Sequence, residues 1–255
     1  MTMKKPIRRM SIAFALTLLT GASALLTVGC RAAERQPVVV ELFTSEGCND
    51  CPAADKLLRR LETAQPLSNA YIIGLEEHVD YFNSAAWKDP FSLRKFTQRQ
   101  YNYANKFGSD SVYTPEMIVN GRASFVGNDE NQAYQEISKN ATPTSGSVSI
   151  STNGNRLTVQ VGGLNTGKYA VYLALTQNGL RSYPTGGENK GATLIHSAIV
   201  RSLKIIGYTT GQTSSKFVVE KSNATIKAKA SLYYVAFVQD TTTNDIDAAG
   251  LAPLK

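Results

Sequence analysis

The chain has 255 residues, of which 42% are hydrophobic, and a formal net charge of +7. This composition excludes a disordered or fibrous protein, and the length suits one large packed domain or two small ones. Four basic residues and no acidic ones fall in residues 1–29, so the remainder has 23 basic and 20 acidic residues, and its charge of +3 gives no reason to expect nucleic-acid binding.

The N-terminal segment has the pattern of a bacterial signal peptide. A positively charged region precedes an uncharged apolar stretch at residues 10–28, and small residues follow. Residues 26–30, Leu-Thr-Val-Gly-Cys, resemble a lipobox, in which Cys30 would be acylated. Ordinary cleavage after Ala32 and a retained membrane anchor are the alternatives. We expect a lipoprotein, because acylation of Cys30 lets the other two cysteines pair without an odd thiol.

After a linker at residues 30–37, the sequence predicts alternating strands and helices. Apolar β-branched runs indicate strands, and apolar residues three and four apart indicate helices. Pro52 suits the first turn of a helix, and Asn120-Gly121 is a strong hairpin signal. The predicted elements are strand 38–43, helix 51–63, strand 70–75, helix 92–107, strands 117–119 and 123–126, and helix 129–139.

The spacing of apolar residues along the chain changes in its second half. Residues 141–146 lack large apolar side chains and indicate a linker. Beyond them apolar and polar residues alternate, which predicts short strands in an antiparallel sandwich over residues 147–240. The remaining residues, 241–255, are polar and then small, and we expect a loose tail.

The Cys48-Asn49-Asp50-Cys51 motif follows a predicted strand and opens a predicted helix. Cys48 would lie at the helix N-terminus, where unpaired N–H groups and the helix dipole stabilise a thiolate. Cys51 would lie behind it and resolve a mixed disulfide. Asp50 and Glu46 oppose thiolate formation by their charge. The alternative is a structural disulfide that stabilises the end of the helix.

Thr114-Pro115 stands just before the third predicted strand. In thioredoxin-like proteins this place holds a cis-proline loop beside the active cysteines, whose backbone a substrate strand can pair with. The cysteine pair, the Thr-Pro step and the order β-α-β-α-β-β-α together indicate a thioredoxin-like α/β domain over residues 38–140. An all-β domain would follow it.

His78 and Asp80 follow the second predicted strand. His78 is a candidate proton shuttle, or a third ligand with Cys48 and Cys51 for a soft ion such as Cu(I). The alternative is a loop histidine held by a hydrogen bond. Asp80 is a further candidate for proton handling.

Other conspicuous residues predict structure rather than chemistry. Trp87, the only tryptophan, is expected to pack. The glycine-rich segment 186–191 lacks the spacing of a phosphate loop and predicts a flexible loop. His196 and Arg201 lie on a predicted strand, and no neighbour in the sequence makes them a catalytic pair.

The motifs together resemble an uncharacterised bacterial family of secreted thioredoxin-like proteins. The segments that carry the resemblance are 40–48, 51–55, 78–81, 87–91, 99–101, 112–117, 187–189 and 200–201. The resemblance covers nearly all of residues 38–210. It implies the fold and a location in the cell envelope, and it supplies neither a substrate nor a reaction.

The sequence therefore favours an envelope thiol-disulfide oxidoreductase without an organic cofactor. Its expected substrate is an envelope protein or a small thiol, and its membrane attachment would be the lipid on Cys30. A copper-binding or copper-delivering module and an interaction protein with a structural disulfide are the alternatives. The candidate site residues are Cys48, Cys51, Thr114, Pro115, His78 and Asp80.

Overall fold

The computed structural model describes residues 1–3, 35–144, 146–221 and 231–254. Ala33–Lys255 forms one compact unit. Nearly all of the predicted signal peptide, and Cys30 with it, lies outside the described residues. No helix in the part of the chain that the structure describes is long and apolar enough to cross a membrane.

The described residues form a mixed α/β structure. Its helices are α1 (Cys51–Ala64), α2 (Arg94–Phe107) and α3 (Glu130–Asn140). Its strands are β1 (Gln36–Thr44), β2 (Ala70–His78), β3 (Glu116–Val119), β4 (Ala123–Val126), β5 (Ser147–Asn153), β6 (Arg156–Gly162), β7 (Tyr169–Gln177), β8 (Leu180–Ser182), β9 (Leu194–His196), β10 (Ile199–Thr209), β11 (Ser215–Glu220), β12 (Leu232–Asp240) and β13 (Ile246–Pro253).

The first half follows the predicted order of elements, β1-α1-β2-α2-β3-β4-α3. Helix α1 begins at Cys51, where the sequence placed it. Strands β3 and β4 form the predicted hairpin, and Asn120 and Gly121 have φ angles of 48° and 66°. A two-residue turn of this kind needs positive φ at both positions, which Asn and Gly adopt most readily.

Strands from both halves of the chain share one sheet, which differs from the predicted division. The order in this eight-stranded sheet is β13-β12-β7-β10-β2-β1-β3-β4. The halves meet where β10 runs parallel to β2, with Ile199 opposite Glu76. Residues 141–146 therefore do not separate two sheets, and β13 pairs with β12 in the region expected to be a loose tail. Alternation along a strand reports local burial but not the sheet that the strand joins.

The side chains of β1 alternate between two cores. Val38 and Val40 pack with α1 and α3, whereas Val39 packs with Phe96 of α2 and with apolar residues of β7 and β12. Helix α2 therefore lies on the face of the sheet opposite α1 and α3. The three-stranded sheet β11-β6-β5 packs its apolar residues against β7 and β12, which is the sandwich-like part of the second half.

Candidate functional site

Cys48 and Cys51 form a disulfide at the start of α1, with Cα atoms 5.4 Å apart. Asp50 caps the helix, so Cys48 precedes the first turn and Cys51 begins it. Pro52 fits this turn because an N–H there would have no acceptor within the helix. The predicted strand-CxxC-helix arrangement is confirmed.

The Thr114–Pro115 peptide bond is cis, as the sequence predicted. It lies immediately before β3. A Cβ placed on Gly127 would be 3.1 Å from Pro115 Cβ and 3.3 Å from Ala54 Cβ. Thr114 and Pro115 therefore lie beside the beginning of the helix that starts with Cys51.

The loop at residues 186–191 holds the backbone around the disulfide. The Asn189 side-chain amide donates hydrogen bonds to the carbonyl oxygens of Glu46, at 3.0 Å, and Cys48, at 2.7 Å. Cys48 is only 3% exposed and Cys51 is fully buried. The glycine-rich segment, predicted as a flexible loop, is thus bound to the cysteine loop.

Two further contacts fix this loop. Glu188 Oε2 accepts a hydrogen bond of 2.8 Å from the backbone N–H of Asn49. Gly187 has φ +74°, and a Cβ there would lie 2.9 Å from Gly47 Cα. A side chain at Gly187 would push the two loops apart, so this glycine serves close backbone contact rather than phosphate binding.

Trp87 packs in this contact, as predicted. A Cβ on Gly186 would lie 2.5 Å from Trp87 Cβ, and one on Gly47 would lie 3.1 Å from the indole ring. The tryptophan therefore touches both the glycine-rich loop and the loop that carries the disulfide.

Asp55 is a buried acid one turn beyond Cys51. Its Oδ1 accepts a hydrogen bond of 2.8 Å from the Thr44 hydroxyl at the end of β1. Burial, and then the negative charge of Glu76, raise the pKa of Asp55 to about 7. Residues four apart share a helix face, so Asp55 lies on the side of α1 that carries Cys51.

His78 lies in a buried polar cluster rather than on an open loop. Its Nδ1 contacts Asp89 Oδ2 at 2.8 Å, and its Nε2 contacts Glu76 Oε1 at 2.9 Å. The same Asp89 oxygen accepts the backbone N–H of Glu46 at 2.8 Å and the Ser45 hydroxyl at 3.3 Å. Asp89 thus links His78 to the loop that leads into the disulfide.

His196 joins the same cluster from the second half of the chain. Its Nδ1 lies 2.6 Å from Glu76 Oε1, and its Nε2 lies 2.9 Å from Ser182 Oγ and 3.4 Å from Glu46 Oε1. The two imidazole rings are 5.2 Å apart, centre to centre. Glu76 and Glu46 are more than a hundred residues away from His196 in the sequence, so the residues around His196 gave no sign of these contacts.

The carboxylates set the charge of this cluster. Burial alone would lower the pKa of His78, but Asp89 and Glu76 outweigh it and raise that pKa well above its ordinary value. Burial would also lower the pKa of His196, but Glu46 and Glu76 outweigh it and raise that pKa to about 9. Burial would raise the pKa of Glu76, but His196 and His78 hold it at about 2. The carboxylates therefore favour the cationic form of both imidazoles.

Asp80 has a structural contact. Its backbone N–H donates to Thr97 Oγ1 at 3.0 Å, and the Thr97 hydroxyl donates back to Asp80 Oδ1 at 2.5 Å. This reciprocal pair attaches the start of the loop after β2 to the first turn of α2.

Among the described residues, the group of His, Cys, Asp and Glu side chains close enough to share an ion is Glu76, His78 and His196. One donor atom from each lies within 4.8 Å of the others. Cys48 and Cys51 are not in this group. His78, the third ligand predicted for a copper site, contacts Glu76 and Asp89 instead.

A second buried polar cluster lies around Arg99. The guanidinium donates to Glu41 at 2.5 Å, to Gln239 at 3.0 Å and to the Tyr103 hydroxyl at 2.9 Å. Burial and the charge of Glu41 raise the pKa of Glu77 well above its ordinary value, and neither Glu77 oxygen has a hydrogen-bond partner.

The model of a protein family described as "Protein of unknown function (DUF1223)" matches residues 39–239. The protein belongs to the DUF1223 family. The matched region includes both halves of the large sheet and every residue of the His78 and Arg99 clusters. The DUF1223 match confirms the resemblance to an uncharacterised family. No curated protein matches the chain.

Two solved structures are similar to this DUF1223 protein. One is a structural genomics target from Agrobacterium tumefaciens, with 28% sequence identity and a TM-score of 0.69, covering 88% of this chain and 96% of that chain. The other is HBP35 of Porphyromonas gingivalis, with 15% identity and a TM-score of 0.61, covering 88% of this chain and 77% of that chain. The second likeness concerns the fold alone.

Sequence reasoning missed Asp55, Glu76 and Asp89 as site residues. One signal was available for Asp55, since it stands four residues after Cys51 on an otherwise apolar helix face. Glu76 and Asp89 carry no comparable signal. Their partners lie on other elements, and only the sheet topology brings them together.

Proposed function

We propose that this protein is a thiol-disulfide oxidoreductase of the bacterial cell envelope. The observation that carries the proposal is the Cys48–Cys51 disulfide, placed directly before α1 and near the cis Pro115. The order of elements over residues 38–140 supports a thioredoxin-like architecture. A disulfide with only two residues between its cysteines, set at a helix N-terminus, is suited to exchange.

Cys48 is the attacking thiol in this proposal. Its thiolate would gain from the unpaired N–H groups at the start of α1. It attacks one sulfur of a substrate disulfide, forms a mixed disulfide and releases the other substrate sulfur as a thiolate. Cys51 then attacks Cys48, which closes the protein disulfide and releases the second substrate thiolate.

Asp55 is the proposed acceptor for the Cys51 proton. It is buried on the same side of α1, and its pKa of about 7 allows it to gain or lose a proton near neutral pH. We assign this role to Asp55 rather than to Asp80, whose carboxylate accepts the Thr97 hydroxyl. The Thr114–Pro115 backbone is the proposed edge against which the substrate lies.

The substrate we propose is an envelope protein or a small thiol, with no organic cofactor. Because Cys48 is only 3% exposed and Asn189 binds its carbonyl, we propose that the loop at residues 186–191 moves before a protein substrate reaches the sulfur atoms. Attachment to the membrane would come from acylation of Cys30, and this part of the proposal rests on the lipobox pattern alone.

The burial of the disulfide favours a second candidate, an interaction protein in which the disulfide is structural. Cys48 is 3% exposed and Cys51 fully buried, whereas an exchanging thiol needs access. A structural disulfide would hold the Cys48 carbonyl in place for Asn189.

The reduction potential of the Cys48–Cys51 pair separates the two candidates. The oxidoreductase requires a potential above roughly −300 mV, and structural disulfides tend to lie below it. Cys48→Ser should abolish exchange with a model disulfide, and Cys51→Ser should accumulate mixed disulfides with partners. Cys30→Ser is the matched control and should exchange like the unaltered protein. A lower potential with no trapped partner would leave the structural role.

A further inference from the structure

We propose that Glu76, His78 and His196 bind one divalent transition-metal ion, of which Zn²⁺ is the best representative. His78 Nε2 and His196 Nδ1 both point at the same oxygen, Glu76 Oε1, at 2.9 and 2.6 Å. The three donor atoms lie within 4.8 Å of one another, so small side-chain shifts would bring them to the ligand distances of about 2.0–2.2 Å that zinc requires.

The outer ring nitrogens of the two histidines face carboxylates. Asp89 Oδ2 lies 2.8 Å from His78 Nδ1, and Glu46 Oε1 lies 3.4 Å from His196 Nε2. Metal-binding histidines usually present their second nitrogen to a carboxylate or carbonyl, which fixes the ring and strengthens the ligand. Both histidines here have that arrangement, on the sides away from Glu76.

Glu46 supplies an independent indication of a ligand. Its side chain is 1% exposed, and Oε1 makes no hydrogen bond but only the 3.4 Å ion-pair contact with His196 Nε2, which also lies 2.9 Å from Ser182 Oγ. A carboxylate oxygen without a hydrogen bond in the interior is costly. A metal ion on His196 Nδ1 would keep positive charge on the side of the cluster that Glu46 faces.

The donor set favours Zn²⁺ over a soft monovalent ion. Two imidazoles and one carboxylate are a common zinc ligand set, whereas Cu(I) prefers thiolates and thioethers. The site shares only His78 with a copper site at the cysteines and differs from it in chemistry, and it does not depend on the proposed redox function.

The three ligands are each at most 1% exposed, so the ion would enter during folding rather than by diffusion into the folded protein. The test is therefore made on the full chain produced in cells grown with added Zn²⁺, kept oxidised so that the cysteines cannot bind the metal. Zinc per chain is measured by elemental analysis after dialysis. We expect about one ion per chain, and its absence from the folded protein overturns the proposal.

Variants locate the ion. His78→Gln with His196→Gln should remove it, and Asp89→Asn should weaken binding roughly 10–100-fold while leaving the three ligands in place. Glu116→Gln is the matched control, because Glu116 is also a buried, hydrogen-bonded glutamate but contacts Gln100 and Ser124. Full zinc content in the double histidine variant would refute the site.

A spectrum keeps the test valid if the double variant does not fold. The full chain produced with Co²⁺ instead of Zn²⁺ should show the visible bands of a four- or five-coordinate ion with nitrogen and oxygen ligands. It should lack the near-ultraviolet band of a cobalt–thiolate bond. A thiolate band, or the spectrum of hydrated Co²⁺, would contradict the proposal.

Discussion

Glu76 and Glu77 are neighbours on β2 and are both fully buried, but their side chains have different charged neighbours. Successive residues of a strand face opposite sides of the sheet, so Glu76 faces the histidine cluster and Glu77 faces Arg99. Glu76 accepts hydrogen bonds from two imidazoles and the Ser197 N–H, and its pKa is about 2. Glu77 has no hydrogen-bond partner, and its pKa is raised well above its ordinary value.

The difference shows that the partner, rather than burial, decides the charge of an interior carboxyl group. On one face, two titratable cations stabilise an ionised carboxylate. On the other face, the permanent cation Arg99 forms its close ion pair with Glu41, and the Glu77 carboxyl group lies 3.8 Å from the Arg99 guanidinium. The Arg99 face holds an ion pair of fixed charge among aromatic rings. The histidines on the other face can gain or lose protons, and they are ligands of the proposed metal ion.

Loss of Arg99 should have the largest effect on stability. Arg99→Met leaves the Glu41 carboxylate buried without its cation, which costs about 3–5 kcal/mol of unfolding free energy. Urea unfolding measures it. Arg60→Met is the matched control, because Arg60 pairs with Glu130 on the surface, where solvent screens the pair, and its loss should leave the unfolding midpoint almost unchanged. Equal losses of unfolding free energy in both variants would show that the buried Arg99–Glu41 pair stabilises the protein no more than a surface pair.

Glu76→Gln should be the next most damaging change. The amide keeps the shape but removes the charge that two buried imidazoles share, and we expect a loss of roughly 3 kcal/mol in urea unfolding. Chelator is included so that no metal contributes. A loss below about 0.5 kcal/mol, the size of an ordinary surface change, would contradict the ionised state assigned to Glu76.

Asp55→Asn should stabilise the protein, and the gain should depend on pH. The folded protein holds a proton on Asp55 up to about pH 7, while the unfolded chain releases it near its ordinary pKa of 3.8. Stability therefore falls as the pH rises between these values and is level above them. We expect a gain of a few kcal/mol at most at pH 8 and almost none at pH 4. Thermal unfolding across this range measures it, and a pH-independent gain would refute the raised pKa.

Glu77→Gln should give the smallest change, opposite in sign to that of its neighbour. Because the pKa of Glu77 is raised, the folded state binds a proton that the unfolded state loses above about pH 4.5, and the variant avoids this loss. The amide still lacks partners, so the gain is limited to about 1 kcal/mol at pH 8. Destabilisation comparable to that of Glu76→Gln would remove the contrast between the two residues.

Much of the first half could be predicted from the sequence because its signals are local. The start of α1 at Cys51 follows from Pro52 and the apolar spacing after it. The β3–β4 turn follows from Asn120-Gly121, whose positive φ angles few other pairs adopt. The cis Pro115 was expected from its place before β3. Each of these depends on residues within a few positions of one another.

The candidate site was only partly predictable, because it is assembled across long separations. Glu76 and His196 are 120 residues apart in the sequence, and Asn189 binds Cys48 across 141. Alternation predicted strands in the second half but not that β10 lies against β2. Without that placement, His196 seemed to have no partner and the glycine-rich loop seemed free.

The position of β13 has a consequence for when the protein becomes folded during synthesis. Val39 and Phe96 from the first half share a core with Phe237 and with Ile246 and Ala249 of β13. A ribosome adds about 5–20 residues per second, and domains usually fold as units as they emerge. Here β1 cannot complete its core before β13 has been synthesised, so the nascent chain keeps apolar side chains of β1 and α2 without their partners until then.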